Sequence, residues 1–471
     1  MSDPVSDPVS DPVSDAVSDP VTDPVSTVLR PVDEAHALHL DAIDPLPARR
    51  ADFHVPPATA GDHAEAAYLA GNSLGLQPRA ARAALEQELA DWARLGVEGH
   101  LEAARPWKPY HEFLRDGAAR LVGALPAETV VMNSLTVNLH LMMISFYRPT
   151  PERYAIVVED STFPSDSYAV QSQARLHGLD PAGSVIRLRP RPGEDCLRTE
   201  DVLGFLRAEG HRVALLLLGG VNYLTGELMD IPAITAAGRA AGAVVGWDLA
   251  HAVGNVPLRL HEWGVDWAAW CHYKYVNAGP GAVAGCFVHE RHLADRTLPK
   301  LQGWWGTDPA TRFAMGPDVD PVDTADSWQL SNPPILAMVP VLVSLRLFDE
   351  IGMAALRERS IRLTGYLAAL LDTVCLELPA RVITPADPER RGCQLSVRVS
   401  GVDAEEVRAR LRHEHGVIAD ARRPDVVRFA PVPLYCTHHD AWRAATALAA
   451  VLSSGPPSSR PPSSAGEARD A

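Results

Sequence analysis

Short apolar blocks recur through the middle of this chain, separated by stretches of helical periodicity. Residues 154–159 (YAIVVE) and 213–218 (VALLLL) read as strands, the second apolar on both faces, and 243–247, 268–272 and 285–289 look like further strands. Asp230 is placed to cap a helix that starts at Ile231-Pro232 and closes at Gly242. Continuous apolar strands alternating with helices predict a mostly parallel sheet covered on both faces, with ligands at the carboxyl ends of its strands. Earlier in the chain, Arg82–Leu95 reads as an amphipathic helix with Leu85, Leu89 and Trp92 on one side. From about Pro340 the pattern changes to a long helix (341–371), a half-exposed strand (394–399), a helix (403–415), a strand (426–429) and a last helix (439–452). That block predicts a smaller α+β domain packed on the first.

The expected division is therefore a tail (1–31), an N-terminal segment with the large domain (32–339), a small C-terminal domain (340–452) and a second tail (453–471). The first 26 residues are a degenerate S-D-P-V repeat with six Asp and no Lys or Arg, and the last stretch is Ser/Pro-rich. Both compositions predict disorder. Removing the six acids from the net charge of −16 leaves −10, an acidic body unsuited to nucleic acid as the main partner. No apolar run approaches the ~18 residues of a membrane span, and the N-terminus lacks the order of a signal peptide. The expected location is the cytoplasm. Six scattered cysteines without a C-x-x-C pair predict reduced packing or surface thiols and no metal.

Among 43 basic residues only Lys108, Lys274 and Lys300 are lysines. A lysine retained in so arginine-rich a background points to amine chemistry, which guanidinium cannot perform. Lys274 lies between Tyr273 and Tyr275, 26 residues after Asp248, which stands where a strand ends. An acid at one strand end and a lysine near the next suits pyridoxal phosphate: the amine carries the cofactor and the carboxylate pairs with the ring nitrogen. Taken alone, the two residues also fit a helix cap and a solvated lysine.

Nine stretches carry a more specific signal. YLAGNSLGLQP (68–78), GHLEAARPW (99–107), MNSLTVNLHLMM (132–143), FPSD (163–166), DLAHAVGN (248–255), HYKYVNAGPG (272–281), GWWG (303–306), SNPPI (331–335) and RFAPVPLY (428–435) resemble kynureninase, in that family's order. The resemblance implies an α/β aspartate-aminotransferase-like (fold type I) homodimer with sites at the subunit interface. It implies cleavage of L-kynurenine or 3-hydroxy-L-kynurenine to anthranilate or 3-hydroxyanthranilate plus L-alanine, in tryptophan catabolism and the kynurenine pathway toward NAD. Other readings are an aminotransferase or cysteine desulfurase on the same fold, or a ligand-binding regulator.

Carried onto this chain, the resemblance implies that Leu135 and Thr136 lie at the cofactor phosphate. Phe163 stacks on the ring, with Ser165 and Asp166 close by, and Asp248 and His251 belong to the same site. Tyr273 reaches the phosphate and serves as a proton donor beside Lys274. Trp304 and Asn332 resemble cofactor residues supplied by the neighbouring subunit. Arg428 is the candidate clamp for the substrate α-carboxylate, because guanidinium grips carboxylate with two parallel hydrogen bonds. His100, Ser331, Asn332 and Ser73 resemble residues around the substrate. A family position that usually helps hold the cofactor is Gly219 here, so its side-chain hydrogen bond is lost or moved.

Overall fold

The structure, a computed structural model, describes residues 33–454; the expected disordered tails fall almost wholly outside them. Seven strands form the central sheet: β1 (Thr129–Val131), β2 (Ala155–Glu159), β3 (Val185–Leu188), β4 (Val213–Gly219), β5 (Val244–Asp248), β6 (Trp267–Trp270) and β7 (Gly285–Val288). Their spatial order is β1-β7-β6-β5-β4-β2-β3. The pairs from β6 to β3 are parallel, and only β7 runs against its neighbours. One apolar cluster, including Val157, Leu216 and Trp247, covers one face; a second, including Ile156, Leu215 and Trp267, covers the other. That two-sided burial is why the strands lack a polar alternation.

The expected strands and the helix Ile231–Ala240 occur, and Asp230 caps that helix through a hydrogen bond from Ala233 N. Four readings change. Helix Ala80–Leu95 forms, but Leu89 is 46% and Trp92 60% exposed, while Glu88 and Asp91 are buried. The inward face is polar because Glu88 accepts from Arg105, Trp107 Nε1 and Tyr110 OH, and Asp91 accepts from Ala104 N. The expected long helix is two, Ile335–Ile351 and Met353–Glu377, broken at Gly352, whose φ of 84° no helix accommodates. Pro340 lies inside the first, so the domain boundary drawn there falls within an element.

The small sheet comprises Ala380–Val382, Leu395–Val399, Val426–Phe429 and Asp420–Arg422, in that spatial order. Strand Leu395–Val399 is buried on both faces rather than half-exposed: Ser396 Oγ and the adjacent Gln394 Nε2 donate to the carbonyls of Leu224 and Tyr223 in the large domain. The N-terminal segment packs on this end of the molecule. Ala67–Tyr68 pairs with Val417–Ile418, and Asp41 accepts from the amides of His438 and His439 at the start of the last helix. No helix among the described residues is long and apolar enough to cross a membrane.

Candidate active site

Three neighbouring parallel strands end at one cavity: β2 with Glu159, β4 with Gly219 and β5 with Asp248. The cavity has a volume of about 290 Å³. Leu135, Thr136, Phe163, Ser165, Asp166, His251, Tyr273 and Lys274 also line it, so one pocket gathers nine of the residues expected at the cofactor.

Each wall has a local cause. Asn133 turns the chain in the left-handed region (φ 52°), which Asn tolerates. Asn133 Nδ2 bonds buried Asn138 Oδ1, and Asn138 Nδ2 bonds Met132 O, fixing where helix Leu135–Phe146 begins. Ser134 caps that helix with no side-chain bond, leaving first-turn amides open toward the cavity as an anion site. Thr136 Oγ1 and Ser165 Oγ lie 2.7 Å apart beside it. Phe163, 41% exposed, packs edge-on against Tyr223 with centroids 5.3 Å apart.

Lys274 is held through its backbone. Trp270 Nε1 donates to His272 Nε2 (2.8 Å), so His272 Nδ1 carries the proton and donates to Val283 O (2.6 Å). Burial pushes the His272 pKa down to about 4, which keeps this spacer neutral. Gly75 N donates to Tyr273 O, and a Cβ at Gly75 would stand 2.4 Å from Lys274 O; only glycine admits that approach. The other two lysines are used in packing, Lys108 Nζ 4.5 Å from the Phe313 ring centre and Lys300 Nζ 3.7 Å from that of Trp328. Lys274 Nζ faces the cavity 5.8 Å from the Phe163 ring centre.

The electrostatics favour a bound cation. Burial, then the adjacent Asp248 carboxylate, pushes the Asp166 pKa well above the usual range. Two buried carboxyls side by side suit a protonated ring nitrogen, which removes their mutual repulsion. Burial and then the Lys274 charge hold His251 neutral, and its Nδ1 is buried without a partner. Burial and Cys271 raise the Tyr273 phenol, so it stays protonated at neutral pH. An anion site, an exposed aromatic face, a paired acid and a lysine amine together fit pyridoxal phosphate.

Several expected residues lie elsewhere. Ser73, His100, Ser331 and Asn332 are exposed, and Trp304 is 43% exposed; none lines the cavity of its own chain. His100 packs edge-on against Trp107. The turn 277–281, with positive φ at Asn277, Gly279 and Gly281, lines a separate groove with Tyr68 and Leu336. Arg428 is fully buried behind the wall: Nε bonds Asp420 Oδ1, Nη1 donates to Tyr223 O, and Nη2 lies 2.6 Å from Asp420 Oδ1 outside hydrogen-bond geometry. Sequence reasoning missed Glu159, Asn222 and Tyr223. Glu159 was legible only as the single charge ending an apolar strand.

Among solved structures, the chain is similar to the apo cysteine desulfurase of Thermococcus onnurineus NA1. The TM-score is 0.69 and the identity 15%, over 83% of this chain and 95% of that one. It is similar also to C-DES with glycine covalently linked to its PLP cofactor (TM-score 0.69, 16% identity, 81% and 96% covered). At such identity the likeness shows the fold. Fold and site together define a pyridoxal-phosphate enzyme of fold type I. Kynureninase of Salinispora tropica is 68% identical over 420 residues, 89% of this chain and 97% of the relative. Kynureninase of Koribacter versatilis is 56% identical over 87% of this chain and 96% of its own. The family model for the kynureninase C-terminal domain matches residues 356–448. The chain belongs to the kynureninase family.

Proposed function

We infer that this enzyme cleaves the Cβ–Cγ bond of L-kynurenine with water, giving anthranilate and L-alanine, and that 3-hydroxy-L-kynurenine is a second candidate substrate. The observation that carries the reading is the joint placement of Lys274, Asp166 and Asp248 at one cavity in a chain 68% identical to a kynureninase. Bound there, pyridoxal phosphate supplies an electron sink for the pairs released at Cα and Cβ. Lys274 holds the cofactor through its amine and, once displaced by the substrate amine, takes the Cα proton. Asp248, with Asp166 beside it, keeps the ring nitrogen protonated. The open amides of Leu135 and Thr136, with the Thr136 and Ser165 hydroxyls, take the phosphate. Tyr273 delivers a proton to Cβ after water at the γ-carbonyl has split the bond. Arg428, held behind the cavity wall by Asp420 and the Tyr223 carbonyl, is assigned to the α-carboxylate.

A desulfurase needs a cysteine at the reacting atoms, and no cysteine lines the cavity. That favours the C–C hydrolase over its structural neighbours' chemistry. Trp304, Asn332, Ser331 and His100 are assigned to the site of a second subunit in a homodimer, which accounts for their exposure in one chain. The outward Leu89, Trp92, Val97 (74% exposed) and Leu101 (65%) supply apolar surface for such an interface. We also assign Ser73 to the substrate, and the enzyme to the cytoplasm and to the kynurenine pathway toward NAD.

Anthranilate fluorescence on adding kynurenine to the holoenzyme tests the reaction, and the same assay with 3-hydroxykynurenine reads the preference. Absence of any aryl product from either substrate would sink the assignment.

A further inference from the structure

Glu159 is 3% exposed, ends the strand beside Gly219, and has no place in the roles assigned above. Its Oε1 accepts from Gly219 N (2.9 Å), and a Cβ at Gly219 would stand 3.1 Å from that oxygen. Its Oε2 accepts from Asn222 Nδ2 (2.5 Å). The other end of that amide is fully committed: Asn222 Oδ1 accepts from Leu224 N (2.9 Å) and Thr225 N (3.0 Å). The turn so held carries the carbonyls that receive the small domain. Tyr223 O takes Arg428 Nη1 (2.5 Å) and Gln394 Nε2 (3.0 Å), and Leu224 O takes Ser396 Oγ (2.7 Å).

We propose that Glu159 and Asn222 are a positioning pair for substrate binding: the carboxyl orients Asn222, Asn222 shapes the 222–225 turn, and the turn seats Tyr223 at the cavity and Arg428 directly behind its wall. This rests on the assignment of Arg428 to the substrate carboxylate. A Cβ at Gly219 would require the Glu159 carboxyl to give by a few tenths of an ångström.

The pair has a fixed polarity, which makes it testable. Two amide donors hold Asn222 Oδ1, so Nδ2 must face residue 159. In Glu159→Gln one amide end must meet Gly219 N–H and the other Asn222 Nδ2, so in either orientation a donor faces a donor. Leaving a buried donor unmet corresponds to about a tenfold loss or more in an equilibrium. Adding Asn222→Asp reverses the polarity: one new carboxylate oxygen keeps the two turn amides and the other accepts from the glutamine NH2. Formal charge is conserved.

The experiment titrates holoenzyme with L-alanine, read from the visible absorbance of the bound cofactor, and measures KM and kcat for kynurenine in parallel. For Glu159→Gln we expect the alanine dissociation constant and KM to rise about tenfold, with kcat within about threefold and the cofactor retained. For the double variant we expect both constants to return within about threefold of wild type. An unchanged alanine constant in the single variant overturns the proposal, and so does a rise that the double variant fails to reverse. If wild type binds alanine but releases no anthranilate, the functional reading fails while the titration still decides the pair.

Discussion

The floor of the cavity and the rim proposed to come from a second subunit are built by different rules. Asp248 ends a strand, Asp166 lies in the first turn of a helix, and Lys274 sits in the bend just after β6, fixed by buried contacts such as those of His272 and Gly75. Ser331 and Asn332 come from a loop, His100 and Trp304 from single-turn helices, and all four lie exposed, away from that floor. Chemistry that must be positioned within tenths of an ångström rests at the end of the sheet, whereas the proposed rim residues sit on surface segments. In the proposed dimer, the difference separates what a single chain completes from what assembly completes.

The sharpest break of the floor is Lys274→Ala. It is expected to abolish the visible absorbance of the bound cofactor and to lower turnover at least about a thousandfold. A variant with wild-type spectrum and rate would remove Lys274 from the chemistry. A second break acts through charge. Burial, opposed by the Asn222 and Gly219 hydrogen bonds and reinforced by Glu227 and Asp248, raises the Glu159 pKa to about 7 from 4.5; Asp166 and Lys274 line the same cavity. A raised folded-state pKa means that this stabilisation is complete below pH 4.5 and is lost as pH climbs through 7. In the apoenzyme the loss is on the order of 3 kcal/mol over that window. Glu159→Gln should flatten the wild-type decline in unfolding free energy between pH 4.5 and 7, and parallel slopes for the two proteins would contradict the shift.

The rim is broken more gently. Asn332→Ala is expected to lower kcat/KM roughly thirtyfold, in the range of one lost buried polar contact. Mixing it with Lys274→Ala under exchange conditions should restore about a quarter of wild-type activity, because random pairing gives hybrids with one intact site each. No recovery would place Asn332 in its own subunit's site. The smallest effect is expected from Trp92→Ser, about tenfold in the dimer dissociation constant by sedimentation; an unchanged constant moves the interface elsewhere.

The floor was legible for a physical reason. Strands apolar on both faces announce a covered parallel sheet, and a lone acid or lysine after such a run marks its ligand-binding end. Helix 80–95 was misread because periodicity reports an apolar face without saying what covers it, and here Glu88 and Asp91 are satisfied by residues 94–110. Gly352 ended a helix inside a continuous apolar pattern. Glu159 and Asn222 escaped notice because their meaning is a mutual orientation across 63 residues, which no local pattern encodes.

The docking of the N-terminal segment on the far end of the chain has a consequence in time. Asp41 bonds the amide of His438, 397 residues later, and Ala67–Tyr68 pairs with Val417–Ile418. At translation rates of about 5–20 residues per second, this segment waits roughly 20–80 s for its partners to emerge. This segment is therefore among the last parts to fold, and a ribosome stalled before residue 417 leaves its strand without a partner.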